Sequence, residues 1–156
     1  MANKKKPRTL KSIKNKRAEF EYFLVQKYEA GIMLTGTEIK SVREGNVVIK
    51  DAFCFMSNGE LWIRNMHIAP YKFGTYSNHD PIRERKLLLT KRELKKIDSK
   101  LKEKGLTMVA VEMYINDRGY AKIDVALAKG KKFFDKRQTL KNKENKREID
   151  RQMKNF

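Results

Sequence analysis

Hydrophobic and polar residues alternate along several short runs of the chain, and this period of two predicts β-strands. The clearest run is YAKIDVALA, in which Ile123, Val125 and Leu127 share one face. Two pairs of runs flank the turn sequences SNGE and NDRG, so each pair is predicted to form a hairpin. A further run that starts near Phe20 predicts a strand with a mostly buried face.

Two other segments show a helical spacing, and both begin with the same capping pattern. Thr35 precedes Glu38 by three residues in LTGTEIKSVREG, and Thr90 precedes Glu93 in the same way in LTKRELKKIDSKLKEKG. In such a capping box the hydroxyl and the carboxylate each accept a free backbone amide of the first turn. A glycine follows each segment, as at many helix C-termini. We therefore predict two helices inserted among the strands.

Short strands with inserted helices predict a mainly β fold, either a small curled sheet or a barrel. Charge divides the chain into three parts. The formal net charge is +18; residues 1–17 hold eight Lys or Arg and no acid, and residues 129–156 hold eleven basic and four acidic residues. The middle is close to neutral. Basic arms are typical of polyphosphate binding, because each neutralised phosphate releases counterions.

We assign residues 1–14 to a basic N-terminal arm, residues 15–129 to the folded body and residues 130–156 to a basic C-terminal tail. Both arms are poor in apolar residues, so we expect them to be disordered alone. In the tail, Ile149, Met153 and Phe156 share a helical spacing. That face is too thin for a stable isolated helix, and we expect the tail to become helical on a partner.

Composition disfavours several classes of protein. No apolar run approaches the roughly 20 residues that span a bilayer, and the basic start lacks the apolar segment of a secretory signal. The single cysteine, Cys54, fits a reducing cytoplasm. Two histidines and one cysteine make no zinc pattern, and phosphate-binding and dinucleotide fingerprints are absent from the sequence. We expect no enzyme, no metal and no cofactor.

RNA binding is the stronger hypothesis, because the segments NKRAEF, PIRERKLLL and KGKKFFDKR each place Lys or Arg beside apolar residues. Cations contact phosphates, and aromatics stack on unpaired bases. Each segment alone is equally explained as a solvated charged face. Phe133 and Phe134 could instead close the barrel, an interpretation that we favour for Phe133. Tyr71, Phe73 and Tyr76 could stack on bases or cover a sheet edge.

Taken together, these segments resemble the SsrA-binding protein family, also called small protein B, the bacterial partners of transfer-messenger RNA. The resemblance runs from about Lys14 to the C-terminus and rests on NKRAEFEYF, YEAGIMLTGTEIKSVREG, HIAPY, DPIRERKLLLTKREL, LAKGKKFFDKR and MKN. It implies an oligonucleotide-binding-type (OB-like) β-barrel with two to three accompanying helices and no catalysis. It also implies delivery of the RNA to stalled ribosomes for trans-translation, peptide tagging and ribosome rescue.

The resemblance further implies the partners and their arrangement. A monomer would bind the tRNA-like domain of the RNA in a 1:1 complex, and the body would replace the missing anticodon arm. The tail would occupy the small-subunit decoding centre and the empty message channel. Elongation factor Tu and alanyl-tRNA synthetase would be partners only indirectly, through the RNA.

The family's functional residues carry over by position. Asn15, Glu29 and Leu88 match the RNA face; Glu29 could otherwise be a turn residue that pairs with Lys27 or Lys40. The remaining expected RNA contacts are Lys16, Arg17, Lys40, Arg43, Arg83, Arg85 and Lys86. The residues expected in the decoding centre and channel are Gly130, Lys131, Lys132, Phe134, Asp135, Lys136, Arg137, Met153 and Lys154. Thr90 stands where other members have Asn or His.

Overall fold

A computed structural model describes residues 12–155, without the side chains of Ser77, Phe133 and Phe134. Within this range the chain forms nine strands, four α-helices and one 3-10 turn at Thr75–Ser77. In chain order these elements are β1 (Ile13–Lys14), α1 (Lys16–Glu21), β2 (Tyr22–Ile32), α2 (Gly36–Arg43), β3 (Val47–Val48), β4 (Phe53–Ser57), β5 (Glu60–Arg64), β6 (His67–Ile68), β7 (Arg85–Leu88), α3 (Lys91–Leu101), β8 (Leu106–Ile115), β9 (Ala121–Gly130) and α4 (Phe133–Lys154).

Six of the strands close into an antiparallel ring in the order β8, β4, β5, β7, β2, β9, with β9 pairing back to β8. β1 extends the edge of β8 beyond β4, and β3 pairs separately with β6. Closure leaves the ring without free strand edges. The prediction of a small OB-like barrel with accompanying helices is confirmed.

The core fills the ring with apolar side chains that alternate along the strands. Ile123, Val125 and Leu127 are fully buried, which confirms the face predicted for β9. α3 packs against β8 and β9 and adds the fully buried Ile97, flanked by the partly buried Leu94. Because the lysines of α3 lie on its other face, this helix covers the core with one apolar stripe.

The helix caps and hairpin turns follow the local sequence. The Thr35 N–H donates to Glu38 Oε2 at 3.0 Å, and the Thr90 N–H donates to Glu93 Oε2 at 3.1 Å. Both predicted helices are therefore confirmed with their acidic caps. Both predicted hairpins, β4–β5 and β8–β9, are confirmed as well. Asn58 adopts a φ of 51° in the first turn, as a tight Asn-Gly turn requires.

Residues 16–21 correct the sequence prediction. Phe20 and Glu21, assigned to a strand by their alternation with neighbouring residues, lie in α1. Asn15 caps this helix, because its Oδ1 accepts the Ala18 N–H at 3.2 Å. Ala18 packs with Ala128 in a small second cluster on the outside of the ring. The helix forms because a capping Asn and a buried alanine outweigh the short strand-like pattern.

The two ends of the chain differ from their expected boundaries. Residues 1–11 of the expected N-terminal arm lie outside the described residues, whereas Ile13–Lys14 pair with β8 and so belong to the body. The tail is helical as α4, which starts at Phe133. Residues 140–155 are all exposed. No α-helix in the described part of the chain is both long and apolar enough to cross a bilayer.

Candidate nucleic-acid interface

Two predicted RNA contacts, Glu29 and Leu88, lie on one outer face of the barrel. Leu88 is opposite Gly31 in the β2–β7 register, and Glu29 precedes Gly31 by two residues on the same face of the strand. Leu88 is 49% exposed although it is apolar. A Cβ at position 31 would stand 3.3 Å from the Leu88 Cβ, so glycine leaves room for the leucine. The fold brings this predicted pair together.

The Glu29 carboxylate is held by a tyrosine rather than by either lysine considered from the sequence. The hydroxyl of Tyr114, on β8, donates a hydrogen bond to Glu29 Oε2. The Tyr114 side chain is largely buried, so it fixes the direction of an exposed carboxylate. A fixed carboxylate is a good acceptor for base amino groups or a ribose 2′-hydroxyl. Sequence reasoning missed Tyr114, because it lies 85 residues away from Glu29 along the chain.

Lys86 shares the outer face with Leu88 and continues it onto β5. Its Nζ lies 2.6 Å from Glu60 Oε1, and its strand partner in the register is Trp62. Further along β5, the Arg64 guanidinium lies 4.5 Å from the centroid of the Phe55 ring. The alternation of hydrophobic and polar residues along β4 and β5 could have identified these outward-facing residues. Sequence reasoning used that alternation only to predict the hairpin.

The prediction that Arg85 contacts RNA is wrong, because its side chain is completely buried. Its Nε bonds to Glu38 Oε1 at 3.0 Å, and its NH1 donates to the carbonyls of Met66 at 2.8 Å and Arg83 at 3.0 Å. Burial lowers the pKa of Arg85, and the charge of Glu38 opposes that shift. The Arg85 guanidinium therefore forms hydrogen bonds inside the body and is not part of the RNA surface.

Glu38 is the buried carboxylate that joins two arginines to the start of α2. Arg83 forms a bidentate pair with it, with Nε–Oε1 at 3.1 Å and NH2–Oε2 at 2.9 Å. Burial raises the pKa of Glu38, but hydrogen bonds from Arg83 and Thr35 and the charge of Arg85 outweigh it and hold the pKa below its ordinary value. Arg83 remains partly exposed at the rim of this cluster.

Asn15 is a second correction, because it is 4% exposed and all its polar side-chain atoms are bonded. Its Nδ2 donates to Ile49 O at 3.0 Å and to Ala110 O at 2.8 Å, while its Oδ1 caps α1 through the Ala18 N–H. These bonds tie α1 to two other parts of the body. Asn15 thus has a structural role, and no side-chain polar atom remains for RNA.

The neighbours of Asn15 are accessible. Lys16 is exposed, and Arg17 extends from α1 with Nε 2.9 Å from Glu21 Oε1 and NH1 2.6 Å from Asp51 Oδ1. Arg17 is therefore partly neutralised on the surface, whereas Lys16 is the more available cation for a phosphate.

Lys40 and Arg43 are exposed on α2, three residues apart and so on one face of that helix. The Lys40 Nζ lies 5.3 Å from the ring centroid of Tyr71. In the same loop Phe73 is 70% exposed and Tyr76 is fully exposed. Phe73 and Tyr76 are too exposed to cover a sheet edge, whereas for the half-buried Tyr71 both interpretations stay open.

Lys131 fastens the junction between β9 and α4. Its N–H donates to Glu21 O at 2.8 Å, and its Nζ donates to Glu19 O at 3.2 Å and to Thr139 Oγ1 at 3.0 Å. The same ammonium lies 5.1 Å from the Phe23 ring centroid. The preceding Gly130 is the last residue of β9 and pairs with Tyr22. Lys131, which was expected in the decoding centre, therefore connects α1, β2 and α4 in this structure.

The other expected decoding and channel residues lie along α4. Lys132 is the N-cap residue, and Asp135 lies in the first turn, where the helix dipole favours a carboxylate. Of the rest, Lys136 is half-buried, while Arg137, Met153 and Lys154 are exposed. The side chains of Phe133 and Phe134 lie outside the described residues. Their stacking or barrel-closing roles stay predictions.

Two of the potentially reactive side chains, His79 and Cys54, are held within the fold. His79 is hydrogen-bonded at both ring nitrogens, to Thr37 Oγ1 and to Ile68 O, each at 2.9 Å. Cys54 is buried, and burial raises the pKa of its thiol. Among residues 12–155 no three His, Cys, Asp or Glu side chains form a group that could hold a metal ion. The expectations of no catalysis, metal or cofactor stay predictions.

Comparisons with known proteins give a consistent result. Residues 12–155 match the family described as SmpB protein. The SsrA-binding protein of Cytophaga hutchinsonii is 56% identical over 140 residues, covering 90% of this chain and 92% of that protein. The SsrA-binding protein of Phocaeicola vulgatus is 54% identical over 143 residues, covering 92% and 95%.

A solved structure also matches, with a TM-score of 0.66 and 48% identity, covering 78% of this chain and 85% of the matched chain. It is described as "tmRNA-SmpB: a journey to the center of the bacterial ribosome".

Proposed function

Because this chain belongs to the SmpB protein family, we propose that it binds transfer-messenger RNA, the SsrA RNA, and acts with it in trans-translation on the bacterial ribosome. The observation that carries this proposal is the match, at 48% identity, to a chain of the solved structure whose description names tmRNA, SmpB and the bacterial ribosome. The outcome is tagging of the nascent peptide and rescue of the stalled ribosome.

The body binds the tRNA-like domain through the outer face of β2 and β7. Glu29 accepts hydrogen bonds from a base edge or a 2′-hydroxyl, since Tyr114 already orients its carboxylate. Leu88 packs against a base or ribose, and Lys86 contacts a phosphate. Lys16 and Arg17 add surface charge on α1. Arg83 and Arg85 support this surface from within through Glu38.

The body and the tail have separate roles. The body, residues 15–129 by the sequence division, takes the place of the anticodon arm that the tRNA-like domain lacks. The tail, residues 130–156, places Lys132, Phe134 and Asp135 at the decoding centre and extends α4 into the message channel. A helix of 22 residues is about 33 Å long, which suits a channel probe. A full-length message would exclude α4, so selection of stalled ribosomes follows from competition.

The remaining partners are reached through the RNA. The protein acts in the cytoplasm as a monomer in a 1:1 complex with transfer-messenger RNA. Elongation factor Tu carries this RNA after alanyl-tRNA synthetase has charged it, so neither protein needs a dedicated surface here. The protein performs no catalysis, and the RNA leaves the complex uncleaved.

A gel shift with full-length transfer-messenger RNA tests this function, with excess ordinary tRNA as competitor at a fixed salt concentration. We expect retained binding in the presence of the competitor and intact RNA on a denaturing gel. Equal competition by ordinary tRNA would identify a general basic RNA-binding protein instead, since phosphate contacts alone do not distinguish RNAs.

A further inference from the structure

Residues 71–78, here called the aromatic loop, present large aromatic side chains that the proposed RNA face does not use. Phe73 is 70% exposed and Tyr76 is fully exposed. Tyr71 is half-buried and makes an edge contact with Phe73 at 5.7 Å between ring centroids. Two neighbouring aromatic rings that project into solvent are candidates for contact with a partner.

The conformation of the aromatic loop is fixed from within. The Tyr71 N–H donates to Asn78 Oδ1 at 3.0 Å, and Asn78 Nδ2 donates back to Tyr71 O at 2.8 Å. The Gly74 N–H donates to Tyr71 O at 2.9 Å. A Cβ at position 74 would stand 2.9 Å from Asn78 Nδ2 and 3.1 Å from Thr37 Cγ2, so a larger residue would displace the loop. Phe73 and Tyr76 are therefore presented by a closed, tightly packed loop.

The surroundings of the aromatic loop are cationic. The Lys40 Nζ lies 5.3 Å from the Tyr71 ring centroid, and the Lys72 Nζ lies 5.7 Å from the Phe73 ring centroid. Residues 71–79 include no Asp or Glu. This combination of exposed rings and ammonium groups complements unpaired nucleotides, since rings stack on bases and cations contact the adjoining phosphates.

α2 connects the aromatic loop to the proposed RNA face. Lys40 and Arg43 share one side of this helix. The Arg43 NH2 lies 3.7 Å from the point where a Cβ on Gly119 would stand, so Arg43 reaches the β8–β9 turn. Arg43 and Tyr114 line one cavity of about 300 Å³, and Tyr114 holds Glu29. The cationic side of α2 thus leads from the aromatic loop towards Glu29.

We propose that the aromatic loop, with Lys40 and Arg43, is a second contact to the tRNA-like domain of transfer-messenger RNA, in which Phe73 and Tyr76 stack on unpaired bases. The continuity with Glu29 favours this RNA over ribosomal RNA as the partner. The inference rests on the proposed function and adds a second stacking site outside the β2–β7 face.

The test is the affinity of the full chain for an isolated tRNA-like domain at a series of salt concentrations. The double substitution Phe73→Ala with Tyr76→Ala should weaken binding about tenfold or more, because each lost stack contributes substantially to binding. It should leave the slope of log K against log salt unchanged, since no cation is removed. Lys40→Ala should instead reduce that slope by roughly 1.

Two variants provide matched controls. Val48→Ala removes an exposed apolar side chain from β3 and should bind as the unmodified chain does. Phe73→Tyr with Tyr76→Phe keeps both rings and should restore affinity. All variants should melt at the same temperature, because the altered side chains are exposed.

Three outcomes decide the inference. Weakened RNA binding by the double alanine variant, with an unchanged salt slope, supports it. Unchanged affinity overturns it, and so does unchanged affinity for the tRNA-like domain with reduced ribosome association, which would assign the loop to ribosomal RNA. Failure of the unmodified chain to prefer transfer-messenger RNA over ordinary tRNA would instead contradict the proposed function itself.

Discussion

The barrel body and α4 are both rich in charge, but they use their charged residues differently. In the body, Arg85 and Glu38 are fully buried against each other, and Arg83 completes the cluster. In α4, residues 133–154 include eight basic and four acidic residues, and every residue from 140 onward is exposed. The buried charge of the body therefore stabilises the fold, whereas the charges of α4 from residue 140 to residue 154 are exposed to solvent.

The apolar residues show the same contrast. The body buries an apolar core inside a closed ring, although some of its apolar side chains are exposed. In α4, by contrast, the apolar Leu140, Ile149 and Met153 are all exposed, Leu140 by about half. A helix with little tertiary packing is only marginally stable in water. We infer that the body folds without α4, and that α4 gains most of its stability when it is bound.

The largest expected effect comes from breaking the buried charge cluster. Glu38→Ala removes the carboxylate shared by Arg83 and Arg85 and leaves the Arg85 guanidinium buried without its ion pair. We expect a loss of about 3–5 kcal/mol in the free energy of unfolding, measured by chemical denaturation. The matched change in the tail, Glu144→Ala, should alter stability by less than about 0.5 kcal/mol. Similarly small changes in the free energy of unfolding for Glu38→Ala and Glu144→Ala would contradict the difference between the body and α4.

The same cluster predicts a pH dependence. The pKa of Glu38 is lowered in the folded protein, so its contribution is fully present above the ordinary glutamate pKa of about 4.3. That contribution is lost as the pH falls from there through the folded-state pKa. Denaturation midpoints should therefore fall more steeply below pH 4.3 for the unmodified chain than for Glu38→Gln. Parallel pH profiles would contradict this assignment.

Asn15→Ala should come next in size. It leaves the Ile49 and Ala110 carbonyls without their side-chain donor and removes the cap of α1, so we expect a loss of about 2–3 kcal/mol in the free energy of unfolding. RNA affinity should be unchanged at temperatures where the variant is fully folded. A weaker complex formed by fully folded protein would show that Asn15 contacts RNA after all.

Glu29→Lys should separate binding from folding. The residue is exposed, so thermal stability should change little, whereas affinity for the tRNA-like domain should fall about tenfold or more because a hydrogen-bond acceptor becomes a cation. Filter binding at fixed salt measures the effect. Glu144→Lys is the control, since it makes the same charge change at an exposed residue of α4. Unchanged affinity for Glu29→Lys would exclude Glu29 from the interface.

The smallest expected effect lies in α4. Ile149→Ala removes an exposed side chain, so the free energy of unfolding of the body should change by less than about 0.5 kcal/mol. Backbone amides of α4 should also exchange with solvent much faster than those of β8 and β9 in the free protein. Equal protection of α4 and the barrel strands would show that the tail is part of the folded unit.

Local chemistry explains which elements could be predicted from the sequence. Thr35 with Glu38 and Thr90 with Glu93 form their caps within one helical turn, so both helices were predictable. The turn at Asn58 likewise depends only on its own residues. The sequence also indicated a barrel, but the pairing that closes it joins distant strands and no local pattern specifies it.

The strand period could have identified Arg85 as an interior residue. Leu87 is a core residue of β7, so Arg85 shares its inward direction, while Lys86 and Leu88 point outward. A buried arginine requires an acidic partner, and Glu38 was already placed as a helix cap. The segment PIRERKLLL was interpreted as an exposed RNA contact because only its charge was considered. The alternation of inward-facing and outward-facing side chains along the strand was not considered.

The most direct test of the division between body and tail is a chain that ends after Lys132, assayed for both RNA affinity and peptide tagging on stalled ribosomes. We predict an affinity for the tRNA-like domain within about twofold of the full chain, since the β2–β7 face is intact, and complete loss of tagging. Tagging by the truncated chain, or a large loss of RNA affinity, would contradict the separation of the two roles.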